Sequence, residues 1–277
     1  MKNYLNLVHF ELNRFITFYV VLIGITIVSQ LAGVFLEARS YITLVNQTLL
    51  EESLSIKQYF ISYSPITMID VVTSGWFVLP IIFSIATLII YSFLIWYRDW
   101  FGKNSFIYRL LMLPTNRINL LFSKLTTIFL MVLGLVATQL ILLPLESTLF
   151  HYLLPDNLRF NLSIQTIISS SEYLVFLIPE SFLQFLIHYG LGLLILIVLF
   201  TSILFERSFH FKGILFGILF SIGMLILLIS PILIQAKLDY YYLYPIENLA
   251  IVLFIGIAIA IFSIWISHYL LNKKITV

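Results

Sequence analysis

Six long apolar runs constrain the fold of this chain more than any other feature. They cover residues 15–35, 76–97, 125–145, 182–205, 213–234 and 249–271, and none contains Asp, Glu, Lys or Arg. Each run has 21 to 24 residues, and a helix needs about 20 to cross the roughly 30 Å hydrocarbon core of a bilayer. Charged residues make up only 10% of the chain, whereas a soluble domain carries about 25%. The sequence therefore predicts an all-α polytopic membrane protein with six transmembrane helices.

The positions of the basic residues predict how these helices are oriented. Six crossings place both termini on one side of the membrane, together with the segments 98–124 and 206–212. That side holds 11 of the 15 Lys and Arg residues and three of the 13 acidic residues. Lys and Arg near helix ends favour the cytoplasmic side. We therefore expect both termini in the cytoplasm, a cell-membrane location, and two large outer loops at 36–75 and 146–181.

The rest of the chain adds little further organisation. Leu5, Val8, Leu12 and Phe15 recur at helical spacing, which predicts a separate amphipathic helix in the cytoplasmic interface over residues 2–14. No internal repeat is evident, so residues 1–277 are expected to form a single transmembrane domain. The basic residues are dispersed among helix ends, where they can meet lipid headgroups, and they indicate no nucleic-acid partner.

The predicted cytoplasmic segment 98–124 has the most detailed pattern outside the apolar runs. Asn104 or Ser105 can cap a short helix at its start, and Pro114 ends that helix because the residue before proline avoids helical dihedrals. Its apolar face comprises Phe106, Ile107, Leu110, Leu111 and Leu113, and its basic neighbours are Arg98, Lys103, Arg109 and Arg117. The pattern predicts a short, stiff helix held between the second and third spans.

This segment resembles the first cytoplasmic loop of permease subunits of ABC-2 type ATP-binding-cassette exporters. The matching elements are Lys103, the run Leu110-Leu111-Met112-Leu113-Pro114, the capping pair Thr115-Asn116, then Arg117 and Lys124. The six-span layout and the amphipathic start are similar too, so the resemblance extends over the whole chain. The lead-in from Asp99 to Ser105 departs from the Glu-Arg/Lys-rich lead-in with Gly-Thr that is frequent in the family.

The resemblance implies that the short helix is a coupling helix that seats on a separate cytoplasmic ATPase. Its contact residues would be Lys103, Asn104, Ser105, Phe106, Arg109, Leu110, Leu111, Leu113, Pro114 and Arg117. Two ATPase copies would bind two permeases, identical or homologous, with ATP and Mg in the ATPases. This chain has no phosphate-binding loop of the G-x-x-x-x-G-K-[ST] type. We therefore expect no catalytic residue, cofactor or metal in the chain, and do not expect it to be an enzyme by itself.

The uncharged spans favour an amphipathic or lipophilic cargo, such as a peptide, an antibiotic or a lipid. The resemblance adds self-immunity or drug resistance as a role. Two alternatives remain open. One is a membrane-integral enzyme or immunity protein, because His151 and Asp156 have the spacing of an acyltransferase general base and its partner. The other is an assembly scaffold without ATP-driven transport. The absence of cysteine excludes disulfides and thiolate chemistry.

Overall fold

The chain folds almost entirely into α-helix. The computed structural model describes residues 2–52, 59, 63–101, 106–112, 115–237 and 244–275. The α-helices described are α1 (Lys2–Glu51), α2 (Met68–Val72), α3 (Gly75–Trp100), α4 (Phe106–Leu111), α5 (Ile118–Leu153), α6 (Ile164–Ser170), α7 (Glu172–Leu177), α8 (Phe182–Lys237) and α9 (Pro245–Tyr269). A π-helix at Leu270–Lys274 continues α9, and the two-residue strands β1 (Ile66–Thr67) and β2 (Arg159–Phe160) pair in parallel.

Within the described residues, five helices are long and apolar enough to cross a membrane. They are Asn3–Glu51, Gly75–Trp100, Ile118–Leu153, Phe182–Ile234 and Ile246–Lys274. Hydrocarbon offers no hydrogen-bond partner to the backbone, and a helix pairs its own N–H and C=O groups. The protein is thus a polytopic helical membrane protein.

Helix α8 consists of two antiparallel helices joined at His210. Its 53 apolar-rich residues would extend about 80 Å if straight, far more than a bilayer requires. His210 has φ 55° and ψ −127°, which interrupts the helix. The hydroxyl oxygens of Ser202 and Ser221 lie 2.7 Å apart, so the chain reverses between them. The reversal falls inside the turn predicted at 206–212. We call residues 182–209 the first arm of α8 and residues 211–237 its second arm.

Helix α1 corrects two expectations about the beginning of the chain. We expected a separate interfacial helix at 2–14 and a loop from residue 36, but one helix runs from Lys2 to Glu51. Leu5, placed on the apolar face, is 59% exposed. The physical reason is that neither Gly nor Pro occurs between Gly33 and Pro65, so no residue there breaks the helix. The end of an apolar run predicts where lipid contact ends and says little about where the helix ends.

The chain divides into two compact units, of which the second comprises Arg14–Ile90 and Leu130–Phe185. Its core consists of Val34, Ala38, Ile66, Met68, Val71, Val72, Phe77, Ile81, Leu143, Phe150, Leu154, Ile167 and Leu174. The predicted outer loops supply much of this core, through α2, α6, α7 and the paired strands. Thr67 begins α2 with a capping box, in which its backbone N–H donates to the Asp70 carboxylate at 2.8 Å. The described parts of these loops therefore fold as a packed helical cluster.

Candidate functional site

The short helix predicted in the segment 98–124 forms at Phe106–Leu111 and belongs to the first unit. This unit comprises Met1–Asn13, Tyr91–Phe129 and Leu186–Val277. The side chains that α4 buries are Ile107, Leu110 and Leu111. The ring of Phe106 also stacks on Phe10 of α1, with ring centroids 5.6 Å apart. One face of α4 is thus anchored in the unit by apolar packing.

The opposite face of α4 is open. Tyr108 is 40% exposed, Met112 just beyond the helix is 69% exposed, and Arg109 is also exposed. Exposed aromatic, Met and Arg side chains are the residue types enriched at protein–protein contacts. This face, which we call the outer face of α4 (Tyr108, Arg109 and Met112), is the part of the helix that another protein could reach.

The ten predicted coupling residues separate into three groups. Outside the described residues lie Lys103, Asn104, Ser105, Leu113 and Pro114. Leu110 and Leu111 are buried, and Phe106 is half-buried against Phe10. Arg109 is exposed, whereas Arg117 is half-buried and bonded inside the unit. Of the five described residues, Arg109 is therefore the one whose side chain is exposed for an intermolecular contact.

The same unit contains a buried ammonium group, near the start of α5. Lys124 has no exposed surface. Its Nζ donates to Glu11 Oε1 at 2.6 Å, to Asp99 Oδ2 at 2.5 Å and to the Ile95 carbonyl oxygen at 2.7 Å. An ammonium group has three donors, and all three are used. Its Nζ also lies 5.2 Å from the centroid of the Trp96 ring, within the range of a cation–π contact.

A second cation completes the group. Arg98 Nη2 donates to Glu11 Oε2 at 3.0 Å, so the two oxygens of Glu11 bond to two different cations. We call Glu11, Arg98, Asp99 and Lys124 the charge cluster. With two anions and two cations its formal charge is zero, and the side chain of Arg98 is 30% exposed while the other three are nearly or fully buried. Buried charges persist in a protein when they are paired in this way.

The charge cluster joins three helices that are distant in sequence. Glu11 belongs to α1, Arg98 and Asp99 to the end of α3, and Lys124 to the first turns of α5. Loss of one member would leave a buried charge without compensation, which costs about 3–5 kcal/mol. The helices that precede and follow α4 are thus fixed to each other and to α1 at their ends.

Arg117 forms another attachment close to α4. Its Nη1 donates to the Leu271 carbonyl oxygen at 2.7 Å and to the Ile275 carbonyl oxygen at 3.0 Å. These carbonyls belong to the C-terminal end of the helical chain, where unpaired acceptors and the helix dipole favour a cation. Arg117 thus ties the start of α5 to the last helix of the chain.

Sequence reasoning placed Lys124 and Arg98 at helix ends among lipid headgroups, and it assigned no role to Glu11 or Asp99. The structure instead buries both carboxylates and Lys124 in the protein. One signal in the sequence points to this arrangement. The predicted cytoplasmic side has only three acidic residues among 11 basic ones. All three, Glu11, Asp99 and Glu206, form ion pairs in the structure.

Polar residues of the second unit are less completely paired. Gln30 Nε2 donates to the Gln139 side-chain oxygen at 3.2 Å and to the Phe77 carbonyl oxygen at 3.3 Å. Glu146, about two helical turns after Gln139 in α5, has no exposed surface, and neither carboxyl oxygen has a hydrogen-bond partner among the described residues. Burial and, secondly, the nearby Glu146 charge raise the pKa of Tyr173, whose hydroxyl donates to the Val72 carbonyl.

His151 and Asp156, which have the spacing of an acyltransferase pair, have Arg159 as a common partner. The Asp156 carboxylate pairs with Arg159, and its side chain is 83% exposed. Arg159 also donates to the backbone carbonyls of His151 and Leu154. Among the described residues, no cluster of three or more His, Asp or Glu side chains forms a possible metal site.

Comparisons of the chain with protein-family models, curated proteins and solved structures find no match.

Proposed function

We propose that this chain is the membrane-spanning permease subunit of an ATP-binding-cassette exporter, driven by a separate cytoplasmic ATPase. The observation that carries the proposal is α4, a six-residue helix held between α3 and α5. Its inner face is packed and its outer face is open. A helix that transmits motion between proteins needs both a rigid attachment and a free contact surface. The resemblance to ABC-2 type permeases in the same segment supports this role.

The proposal includes six membrane crossings, with the two arms of α8 counted separately. The reversal at His210 supports this count. Six crossings place both termini on the same side, and the basic residues favour the cytoplasm for that side of the cell membrane. Two permease subunits, identical or homologous, would then present two α4 helices to two ATPases, in which ATP and Mg are bound.

The attachments around α4 suggest how force would pass into the membrane. Movement of α4 by an ATPase would act on α3 and α5, which precede and follow it in the chain. The charge cluster fixes the ends of these helices to α1, and Arg117 fixes the start of α5 to the C-terminal helix. The spans would therefore tilt as a set rather than one by one. The cargo would be amphipathic or lipophilic, because the predicted spans contain no charged residue.

The outer face of α4 allows a sharp test. We would purify the chain from its host's membranes in mild detergent, and quantify co-purified proteins and ATP hydrolysis. The variant carries Tyr108→Ala, Arg109→Glu and Met112→Asp, which changes exposed side chains and leaves the buried Ile107 in place. Lys273→Glu is the matched control, since it also reverses an exposed cation. We expect a soluble ATPase at near-equal stoichiometry with the wild type and the control, and its loss with the variant.

Two results would contradict the proposal. One is the absence of any nucleotide-hydrolysing partner from the wild-type preparation. The other is an ATPase that remains bound to the variant as tightly as to the control. Size-exclusion profiles of all three proteins would show whether the variant keeps its fold.

A further inference from the structure

A groove in the first unit runs between the end of α3 and the two arms of α8. Its volume is about 500 Å³, within the range of pockets that hold small molecules. Along the first arm it is lined from Leu194 to Glu206, a distance of about 18 Å at the helical rise. Side chains such as Phe93, Val198 and Leu225 make most of its wall apolar. The groove is therefore long and mostly apolar, which suits a hydrocarbon chain.

One end of the groove is charged. Glu206 lines it and accepts a hydrogen bond from the Tyr97 hydroxyl. Arg207 lies next to it, with a nitrogen–oxygen distance of 3.7 Å to Glu206. The Arg207 guanidinium stands over the rings of Tyr97, Trp100 and Phe101, at 4.7, 5.6 and 5.7 Å from their centroids. Its Nε is buried and has no hydrogen-bond partner among the described residues.

We propose that this groove binds one phospholipid whose headgroup carries both a phosphate and a primary ammonium group, as in phosphatidylethanolamine. An acyl chain would lie along the apolar wall, the ammonium would donate to Glu206, and the phosphate would accept from Arg207. The inference concerns a site in this chain alone and stands independently of the proposed ATPase partner.

The two charges select this headgroup over others. A guanidinium held by aromatic rings is a strong donor to phosphate oxygens, and the Arg207 side chain keeps 22% of its surface exposed for such a contact. An anionic headgroup without an ammonium would bring its phosphate beside the Glu206 carboxylate, so that Arg207 alone would face two anions. A choline headgroup has no N–H to donate. Residues 206–212 are also predicted at the cytoplasmic headgroup level, where Arg207 and Glu206 would meet such a lipid.

Native mass spectrometry of the full chain tests the proposal directly. The protein would be incubated in mild detergent with equal amounts of phosphatidylethanolamine, phosphatidylglycerol and phosphatidylcholine that have the same acyl chains. We expect one phosphatidylethanolamine to be retained preferentially. Glu206→Gln should lower the ratio of bound phosphatidylethanolamine to phosphatidylglycerol about tenfold, the effect of one charge-assisted hydrogen bond. Arg207→Gln should lower retention of both, whereas Lys273→Gln, at an exposed cation that does not line the groove, should change neither.

A second pair of variants tests the apolar wall without touching the charges. Leu225 lines the groove and Leu227, on the same arm, does not, and both are largely exposed. Leu225→Trp should fill the groove and abolish lipid retention, and Leu227→Trp should leave it unchanged. Equal retention of the three lipids, a preference for phosphatidylglycerol, or the same retention in both Trp variants would overturn the proposal. The Trp pair keeps the test decisive if Glu206→Gln fails to fold.

Discussion

At the scale of single residues, Lys124 holds together the charge cluster that fixes the helices on either side of α4. Its ammonium uses all three donors inside the protein, on Glu11, Asp99 and the Ile95 carbonyl. The Lys124 side chain is fully buried, so water does not compete for these hydrogen bonds. Loss of the ammonium group would leave the carboxylates of Glu11 and Asp99 without the cation that they share.

Lys124→Met should lower the free energy of unfolding by about 3–5 kcal/mol, because it leaves buried carboxylates uncompensated. The measurement is unfolding in a fixed detergent, with Lys273→Met, which removes an exposed cation, as the control. The triple variant with Glu11→Gln and Asp99→Asn as well should recover part of the loss, since it removes the unpaired charges. A loss no larger than that of the control would show that the charge cluster does not hold the helices together.

Glu146 presents the opposite case, a buried carboxyl group without a partner among the described residues. Its replacement by leucine should raise the free energy of unfolding by about 1–3 kcal/mol, because an unsatisfied polar group no longer has to be buried. Glu180→Gln, at an exposed position, serves as the control and should be near neutral. Destabilisation by Glu146→Leu would indicate that the carboxyl group has a partner outside the described part of the chain.

The two carboxyl groups also show why the sequence predicts charges less well than spans. Glu11 interrupts an otherwise apolar stripe of α1, and Glu146 comes directly after the third apolar run. Hydropathy treats both as ends of a membrane segment. Their burial depends on side chains of other helices, and the residue pattern along one helix does not show which side chains those are. The shortage of acidic residues on the basic side is the one sequence signal that identifies Glu11 and Asp99 as paired.

At the scale of elements, the apolar runs predict where long helices lie and predict poorly where those helices end. The six apolar runs all lie within helices, since the requirement for about 20 apolar residues is a property of local composition. The runs do not predict where α1 and α5 end, because each helix continues through polar residues beyond its apolar run. α5 continues past residue 145 to Leu153, shortly before Pro155, just as α1 continues to Glu51.

The reversal in α8 gives a prediction at this scale. His210 has a positive φ of 55°, which costs a non-glycine residue about 1–3 kcal/mol. His210→Gly should therefore raise the free energy of unfolding by about 1 kcal/mol. His9→Gly, at an exposed position inside α1, should lower it by a similar amount because glycine disfavours helix interiors. Thermal unfolding of both variants measures the two changes in stability. A decrease for both would contradict a strained reversal at His210.

At the scale of the whole molecule, the six-crossing topology makes a prediction about labelling. The native chain has no cysteine, so single cysteines introduce unique sites without background. Tyr152→Cys, at a position that is 87% exposed and lies in the predicted outer segment, should react with a membrane-impermeant maleimide in intact cells. Asn272→Cys, exposed and near the C-terminus, should react only after the cells are broken. Labelling of both in intact cells would contradict an even number of crossings with cytoplasmic termini.

The central claim is that the outer face of α4 contacts a cytoplasmic ATPase, and site-specific photo-crosslinking in the native host tests it most directly. A photoreactive amino acid would replace Met112, which is 69% exposed, or Tyr152, which is 87% exposed, as the control. The proposal predicts that the probe at position 112 crosslinks a nucleotide-binding protein and that the probe at position 152 does not. No crosslink at position 112, or a crosslink there only to proteins that do not bind ATP, would contradict it.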